Sequence, residues 1–158
     1  MHSARVIVCE MTGQWATGLR RLLGERGRQV QETRSLGECW EALQRSPISI
    51  LVLELTAQNN ESLLRHLEDL GTRFPQARAL VVGNRDGESC EWLLREAGAV
   101  HAVWSRRRLA AAVALIERHL ALAPRPQLPW REAIWQRLPW RSVTGTRLLG
   151  PDGETPRS

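Results

Sequence analysis

The sequence predicts an α/β domain built on a five-stranded parallel sheet with the strand order 2-1-3-4-5. Short apolar runs alternate with helical patterns up to residue 121, which is typical of parallel strands joined by helical crossovers. Residues 48–53 are almost wholly apolar, as expected of a central strand that is covered on both faces. Residues 29–34 are polar and have little to bury, which favours an edge position. The flavodoxin-like strand order places the second strand at that edge.

Five strands and five helices account for residues 5–121. The strands are expected at residues 5–9, 29–34, 48–53, 79–82 and 100–104. Apolar residues at helical spacing predict a helix after each strand, the last with Leu109, Val113, Ile116 and Leu120 facing inward.

Local signals predict where the helices begin and end. Gly27 is expected to close the first helix in a left-handed conformation. Ser35 and Glu38 form a capping-box pattern that opens the second helix. Asn60 and Ser105 are the expected caps of the third and fifth helices.

The composition predicts one soluble domain with a C-terminal appendage. The chain has 158 residues, of which 42% are hydrophobic, enough for one core. We expect an α/β domain at 1–123, a Pro/Trp-rich linker with a short amphipathic helix at 124–142, and a disordered tail at 143–158. The sequence has no apolar run of spanning length and no signal-peptide layout, and its three cysteines are far apart, so a cytoplasmic location is expected.

The positive charge is unevenly distributed along the chain. All 22 basic residues are arginine, and the net charge is +5. Residues 1–123 hold 16 arginines and 14 acidic residues, a net charge of +2, whereas residues 124–158 hold 6 and 3, a net charge of +3. The predicted domain is therefore nearly neutral, which weakens a nucleic-acid interpretation of the basic composition.

The sequence offers no catalytic, metal-binding or cofactor-binding motif. It has no glycine-rich phosphate loop, and a chain without lysine cannot form one of the G-x-x-x-x-G-K type. No serine lies in a G-x-S-x-G elbow, and the four histidines have no triad or metal-ligand spacing. We therefore expect no enzyme activity, metal or cofactor.

The segment Glu-Ala-Gly-Ala-Val-His-Ala-Val-Trp at residues 96–104 resembles the end of the fourth helix and the fifth strand of bacterial response-regulator receiver domains. The strand that runs into Cys9 and Glu10, and Pro47 before the third strand, support the resemblance. It covers roughly residues 4–121.

The resemblance implies a degenerate phosphorylation site. In receivers an acidic pair after the first strand holds magnesium, an aspartate ending the third strand accepts the phosphoryl group, and a hydroxyl and a lysine complete the site. In this chain the acidic pair falls on Cys9 and Glu10, the acceptor on Leu53 or Glu54, the hydroxyl on Gly83 and the lysine on Ser105. Magnesium prefers several hard oxygen ligands, and the cation that phosphoryl transfer needs is absent unless Arg106 substitutes for the lysine. The resemblance therefore implies a pseudo-receiver that takes no phosphate.

Two of these positions have alternative interpretations. Glu54 is either a carboxylate that mimics the phosphorylated state or a solvated carboxylate at a strand end. Cys9 is either a redox-sensing thiol or a buried, inert cysteine, and reactivity would require exposure and nearby positive charge.

Partner binding is predicted for two segments. Arg106, Arg107 and Arg108 open the last helix, where cations oppose the helix dipole. They form either a solvated face or a site for an anion or an acidic partner, whose binding would offset that cost. In receivers the surface beside this cluster commonly mediates dimerisation or output. The second segment is the amphipathic tail helix, with Trp130, Ile134, Trp135, Leu138 and Trp140. The tail either packs on its own domain, docks on a partner or lies at a membrane surface.

The predicted function is that of a non-enzymatic signalling or adaptor protein. Its receiver-like domain would act through protein–protein interaction or self-association, without phosphorylation. The alternative is a nucleic-acid-binding regulator that uses the arginine clusters and the tail tryptophans.

Overall fold

The computed structural model describes residues 3–124. The expectations for the linker, the amphipathic helix and the C-terminal tail lie outside the described residues, including those for Trp130, Ile134, Trp135, Leu138 and Trp140.

Strands and helices alternate through the described part of the chain. The strands are β1 (Val6–Cys9), β2 (Val30–Thr33), β3 (Ile50–Glu54), β4 (Arg78–Val82) and β5 (Ala99–Val103). The helices are α1 (Gln14–Leu23), α2 (Leu36–Arg45), α3 (Asn60–Arg73), α4 (Glu91–Ala97) and α5 (Leu109–Leu122). Short 3-10 turns follow α1 and precede α4 and α5.

The five strands form one parallel sheet in the order β2-β1-β3-β4-β5, which confirms the predicted fold class. β2 lies at an edge, as its polar sequence predicts: only its first and last residues are buried. The central strand β3 is buried from Ile50 to Leu53, because helices cover both faces of the sheet.

Two apolar clusters, one on each face of the sheet, form the core. One contains Trp15, Leu19 and Ile116, so α1 and α5 cover that face. The other contains Leu43 and Leu67, so α2 and α3 cover the opposite face. Of the four residues predicted to face inward from α5, Leu109, Val113 and Ile116 are buried, and Leu120 is partly buried against the same cluster.

Several helix ends differ from the sequence expectations. α1 ends at Leu23, and the residue with a positive φ is Gly24 (φ 56°), not Gly27. Gly27 lies in the 3-10 turn after α1, where a Cβ atom would come within 2.7 Å of the Arg20 carbonyl oxygen. Close packing, rather than a left-handed cap, is therefore the reason for a glycine at position 27.

The caps of α3 and α5 are also displaced. Asn59, not Asn60, is the residue before α3, and its side chain makes no capping bond to the helix. The side chain instead accepts from the Thr56 amide (2.8 Å) and donates to the Glu54 carbonyl (2.7 Å). Ser105 caps the 3-10 turn Arg106–Arg108, and α5 itself begins at Leu109. The arginine triplet therefore precedes α5 instead of forming its first turn.

The second helix begins as its sequence predicts. The Ser35 hydroxyl accepts from the Glu38 amide (3.2 Å), as in a capping box. The Glu38 carboxylate accepts from the Arg34 amide (2.8 Å), one residue earlier than the usual reciprocal bond.

Candidate functional site

The positions implied by the receiver resemblance meet at the carboxyl edge of the sheet. Glu10 follows β1, Glu54 ends β3, Gly83 follows β4, and Ser105 lies two residues after β5. The carboxyl ends of parallel strands share one edge, and ligand sites of doubly wound sheets lie there. The chemistry available at this edge depends on what each side chain already contacts.

Glu10 is a buried carboxylate whose two oxygens are both engaged. The residue is only 2% exposed. One oxygen accepts from the Trp15 amide (2.8 Å) and the other from the Ala16 amide (2.7 Å), both in the first turn of α1. The preceding Gly13 offers no side-chain cap, and α1 has no acidic residue in its first turn. Glu10 therefore caps α1 and interacts favourably with the positive end of its dipole.

Of the two candidate acceptor positions, only Glu54 presents a side chain at the edge. Leu53 is fully buried in the core. Glu54 is partly exposed, and its Oε2 accepts from the Met11 amide (3.0 Å), which joins the end of β3 to the loop after β1. Among the described residues, the carboxylate of Glu54 thus has one protein partner, and it has access to solvent.

The ring of Trp104 lies beside Gly83, the position at which receivers carry a hydroxyl side chain. A Cβ atom on Gly83 would come within 3.2 Å of the Trp104 ring, and one on Gly87 within 2.4 Å. The indole Nε1 donates to Glu91 Oε2 (2.7 Å). This bond, together with the bonds from Arg95, holds the pKa of the Glu91 carboxyl below its usual range. Sequence reasoning placed Trp104 in a strand and did not identify it as part of this edge.

Ser105 occupies the lysine position and has a structural contact. Its hydroxyl accepts from the Arg107 amide (3.4 Å) in the turn before α5. Arg106 lies at the same edge, where it lines a cavity of about 330 Å³ with Glu54, Gly83 and Trp104.

The buried cysteines have the character of unreactive thiols. Cys9 is 7% exposed, and burial raises the pKa of its thiol despite a hydrogen bond with Thr33. Burial likewise raises the pKa of Cys39 to about 12. Thiolate chemistry requires a lowered pKa and access, so these features favour the inert interpretation of Cys9.

The residues at this edge do not fit a magnesium ion. Glu54 supplies the only carboxylate among the described residues that line the 330 Å³ cavity, whereas Glu10 and Glu54 both line a second cavity of about 480 Å³ at this edge. Across residues 3–124, no group of three or more His, Cys, Asp or Glu side chains is placed to hold a metal. Magnesium requires near-octahedral oxygen coordination, and the carboxylate of Glu10 is already used by α1.

Comparisons with known proteins connect this domain to solved structures. No family model and no curated protein matches the sequence. A response regulator from Thermotoga maritima superposes with a TM-score of 0.64 at 17% identity, covering 75% of this chain and 98% of that one. An atypical orphan response regulator superposes with a TM-score of 0.62 at 18% identity, covering 77% and 99%.

A third similar structure is the CheY-like protein tadZ from Pseudomonas aeruginosa PAO1. Its TM-score is 0.59 at 19% identity, and the match covers 80% of this chain and 99% of that one. At these identities the likeness shows the fold. The described domain is receiver-like in fold, which confirms the resemblance seen in the sequence at that level.

Within residues 3–124, every helix is too short or too polar to cross a bilayer.

Proposed function

We propose that this chain is a non-enzymatic signalling or adaptor protein whose receiver-like domain works by protein–protein interaction and takes no phosphoryl group. The observation that carries the proposal is the engagement of Glu10. The carboxylate that falls in the acidic pair of the receiver pattern is buried and bonded to two amides of α1. Phosphoryl transfer needs cations to compensate the developing charge. The chain has no lysine for that role, and Arg106 is the one cationic residue that lines the 330 Å³ cavity with Glu54 among the described residues.

Other features of the edge support the same proposal. Gly83 offers no hydroxyl, and the Trp104 ring lies against it. One of the similar structures is an atypical orphan response regulator with a phosphorylation-independent regulatory mechanism. A receiver fold that acts without phosphate therefore has a structural precedent.

The proposed interaction elements are the arginines before α5 and the tail. Arg106, Arg107 and Arg108 are exposed, and the segment with Trp130, Trp135 and Trp140 follows the domain at 124–142. Tryptophan and arginine are the residues most enriched among interface hot spots. Nucleic acid is the less favoured partner, because residues 1–123 carry a net charge of only +2.

A capture experiment with two chain lengths tests the proposed interaction. Residues 1–158 and residues 1–123 are compared as baits in a native extract, and captured proteins are identified by mass spectrometry. Sedimentation at micromolar concentration measures self-association in parallel. We expect a specific protein partner or self-association. Capture by the longer chain alone would assign the binding to the tail, and capture by both would assign it to the domain.

A salt titration of oligonucleotide binding tests the alternative function, a nucleic-acid-binding regulator. A phosphate-binding footprint weakens steeply as salt rises. If neither chain captures a protein or self-associates, and oligonucleotide binding instead shows that dependence, the adaptor proposal is wrong.

A further inference from the structure

Three arginine side chains line a groove between α1 and the turn that precedes α5. The groove has a volume of about 620 Å³, and its lining includes Arg21, Arg106 and Arg107. Arg21 is 85 residues from Arg106 in the chain, so the sequence did not indicate that it joins the cluster. Arg108, the third member of the predicted triplet, does not line the groove.

The three arginines are exposed and lack acidic partners in the described part of the chain. Arg21, Arg106 and Arg107 form no ion pair with any residue in 3–124. The neighbouring Arg20, in contrast, forms an ion pair with Glu32 on β2. Within residues 3–124, no acidic side chain therefore neutralises the charge of the groove.

The dipole of α5 adds to this positive charge. Arg106 and Arg107 precede the N-terminus of α5, where no acidic residue occupies the first turn. Cations at this end of a helix are repelled by its partial positive charge. A bound anion would relieve that repulsion.

Apolar groups lie between the charged ones. Leu22 is 44% exposed in the groove, and Leu109 contributes to its lining. A Cβ atom on Gly18 would come within 3.0 Å of a Leu109 methyl group, so the glycine allows α1 and α5 to approach closely. The groove thus combines cationic side chains with an exposed leucine.

We propose that this groove binds an acidic peptide segment of a partner protein. Carboxylates of the segment would pair with Arg21, Arg106 and Arg107, and one apolar side chain would pack on Leu22. The inference rests on the proposed adaptor function and names the chemistry of the partner. A nucleic acid fits less well, because residues 1–123 carry a net charge of only +2.

The test is fluorescence anisotropy with the full chain. The probe is a short fluorescein-labelled peptide of glutamates around a single leucine. We expect binding that weakens as NaCl rises from about 0.05 M to about 0.3 M, because exposed charges are screened. The double variant Arg21→Gln/Arg106→Gln should raise the dissociation constant about ten-fold, or about 1.4 kcal/mol, because it removes two exposed ion pairs.

Matched controls identify the site. Arg108→Gln removes an arginine of the same triplet outside the groove and should leave the affinity within about two-fold. Leu22→Ser should weaken the leucine-containing peptide but not an all-glutamate peptide. An oligonucleotide and inorganic phosphate serve as competitors, and we expect neither to displace the peptide at equal concentration.

Other outcomes would overturn the inference. Undiminished binding in the double variant would place the peptide elsewhere, for example on the basic segment 124–158. No binding of the acidic peptide, or arginine-dependent binding of the oligonucleotide instead, would also contradict it. The captured partner and the phosphorylation state of the chain are measured separately, so a failure here is distinguishable from a failure of the proposed function.

Discussion

Replacing Glu10 with alanine is expected to lower the free energy of unfolding by about 3 kcal/mol. The substitution leaves the buried amides of Trp15 and Ala16 without acceptors and opens a cavity at the start of α1. Each buried, unsatisfied amide costs about 1–3 kcal/mol. Chemical denaturation followed by far-UV circular dichroism, with and without magnesium chloride, measures the change.

Two further substitutions of Glu10 distinguish a role as the cap of α1 from a role as a metal ligand. Glu10→Gln keeps the volume and one acceptor oxygen, so we expect a loss of about 1 kcal/mol. Glu10→Asp restores the residue type of the receiver pattern but shortens the side chain by one methylene, so it should still destabilise the fold. Magnesium should stabilise none of these proteins. An unchanged stability of Glu10→Ala, or a magnesium-dependent stabilisation of the native chain that Glu10→Gln abolishes, would contradict the capping role.

Replacing Gly27 with alanine is expected to destabilise the domain by about 3 kcal/mol, the upper end of the usual range for overpacking. The new Cβ atom would lie 2.7 Å from the carbonyl oxygen of Arg20 and 3.1 Å from the Cα atom of Arg20. These are backbone atoms of α1, and α1 is anchored by the buried Leu19 and Leu23. Relief of the clash would therefore require a shift of the helix.

Two other glycines provide matched controls for that prediction. Gly24 has φ 56° and ψ −121°, a conformation that L residues rarely adopt, although a Cβ atom there would meet no other atom within 4 Å. Gly24→Ala should therefore cost about 2 kcal/mol of backbone strain, without a clash. Gly71 lies within α3 in open space, so Gly71→Ala should stabilise the domain by about 0.5–1 kcal/mol. Thermal and chemical denaturation of the three variants should reproduce this order. A Gly27→Ala protein as stable as the native chain would show that the turn adjusts without cost.

The sheet topology could be predicted from the sequence because burial leaves a pattern in composition. The apolar β3 and the polar β2 have different environments, and the strand order follows from that difference. The role of Gly27 could not be predicted, since a left-handed cap and a close backbone approach both require glycine and look the same in sequence.

The candidate site was predictable in position but only partly in chemistry. The spacing of Glu10 from Trp15 and Ala16, with an uncapped Gly13 between them, is a local signal that could have identified the cap. The position of the Trp104 ring beside Gly83 depends on the packing of β4 against β5. The meeting of Arg21 with Arg106 depends on the packing of α1 near the start of α5. Such contacts join residues far apart in the chain, so the hydrophobic periodicity of the sequence does not predict them.

The most direct test of the account is the intact mass of the full chain after incubation with acetyl phosphate and magnesium. A receiver that carries the aspartates and the lysine is treated in parallel to show that the reagent is active. Because the Glu10 carboxylate is engaged by α1 and the edge offers no magnesium site among its described residues, we expect the mass to stay unchanged. A gain of one phosphoryl group that requires magnesium, and that Glu54→Gln abolishes, would contradict the account.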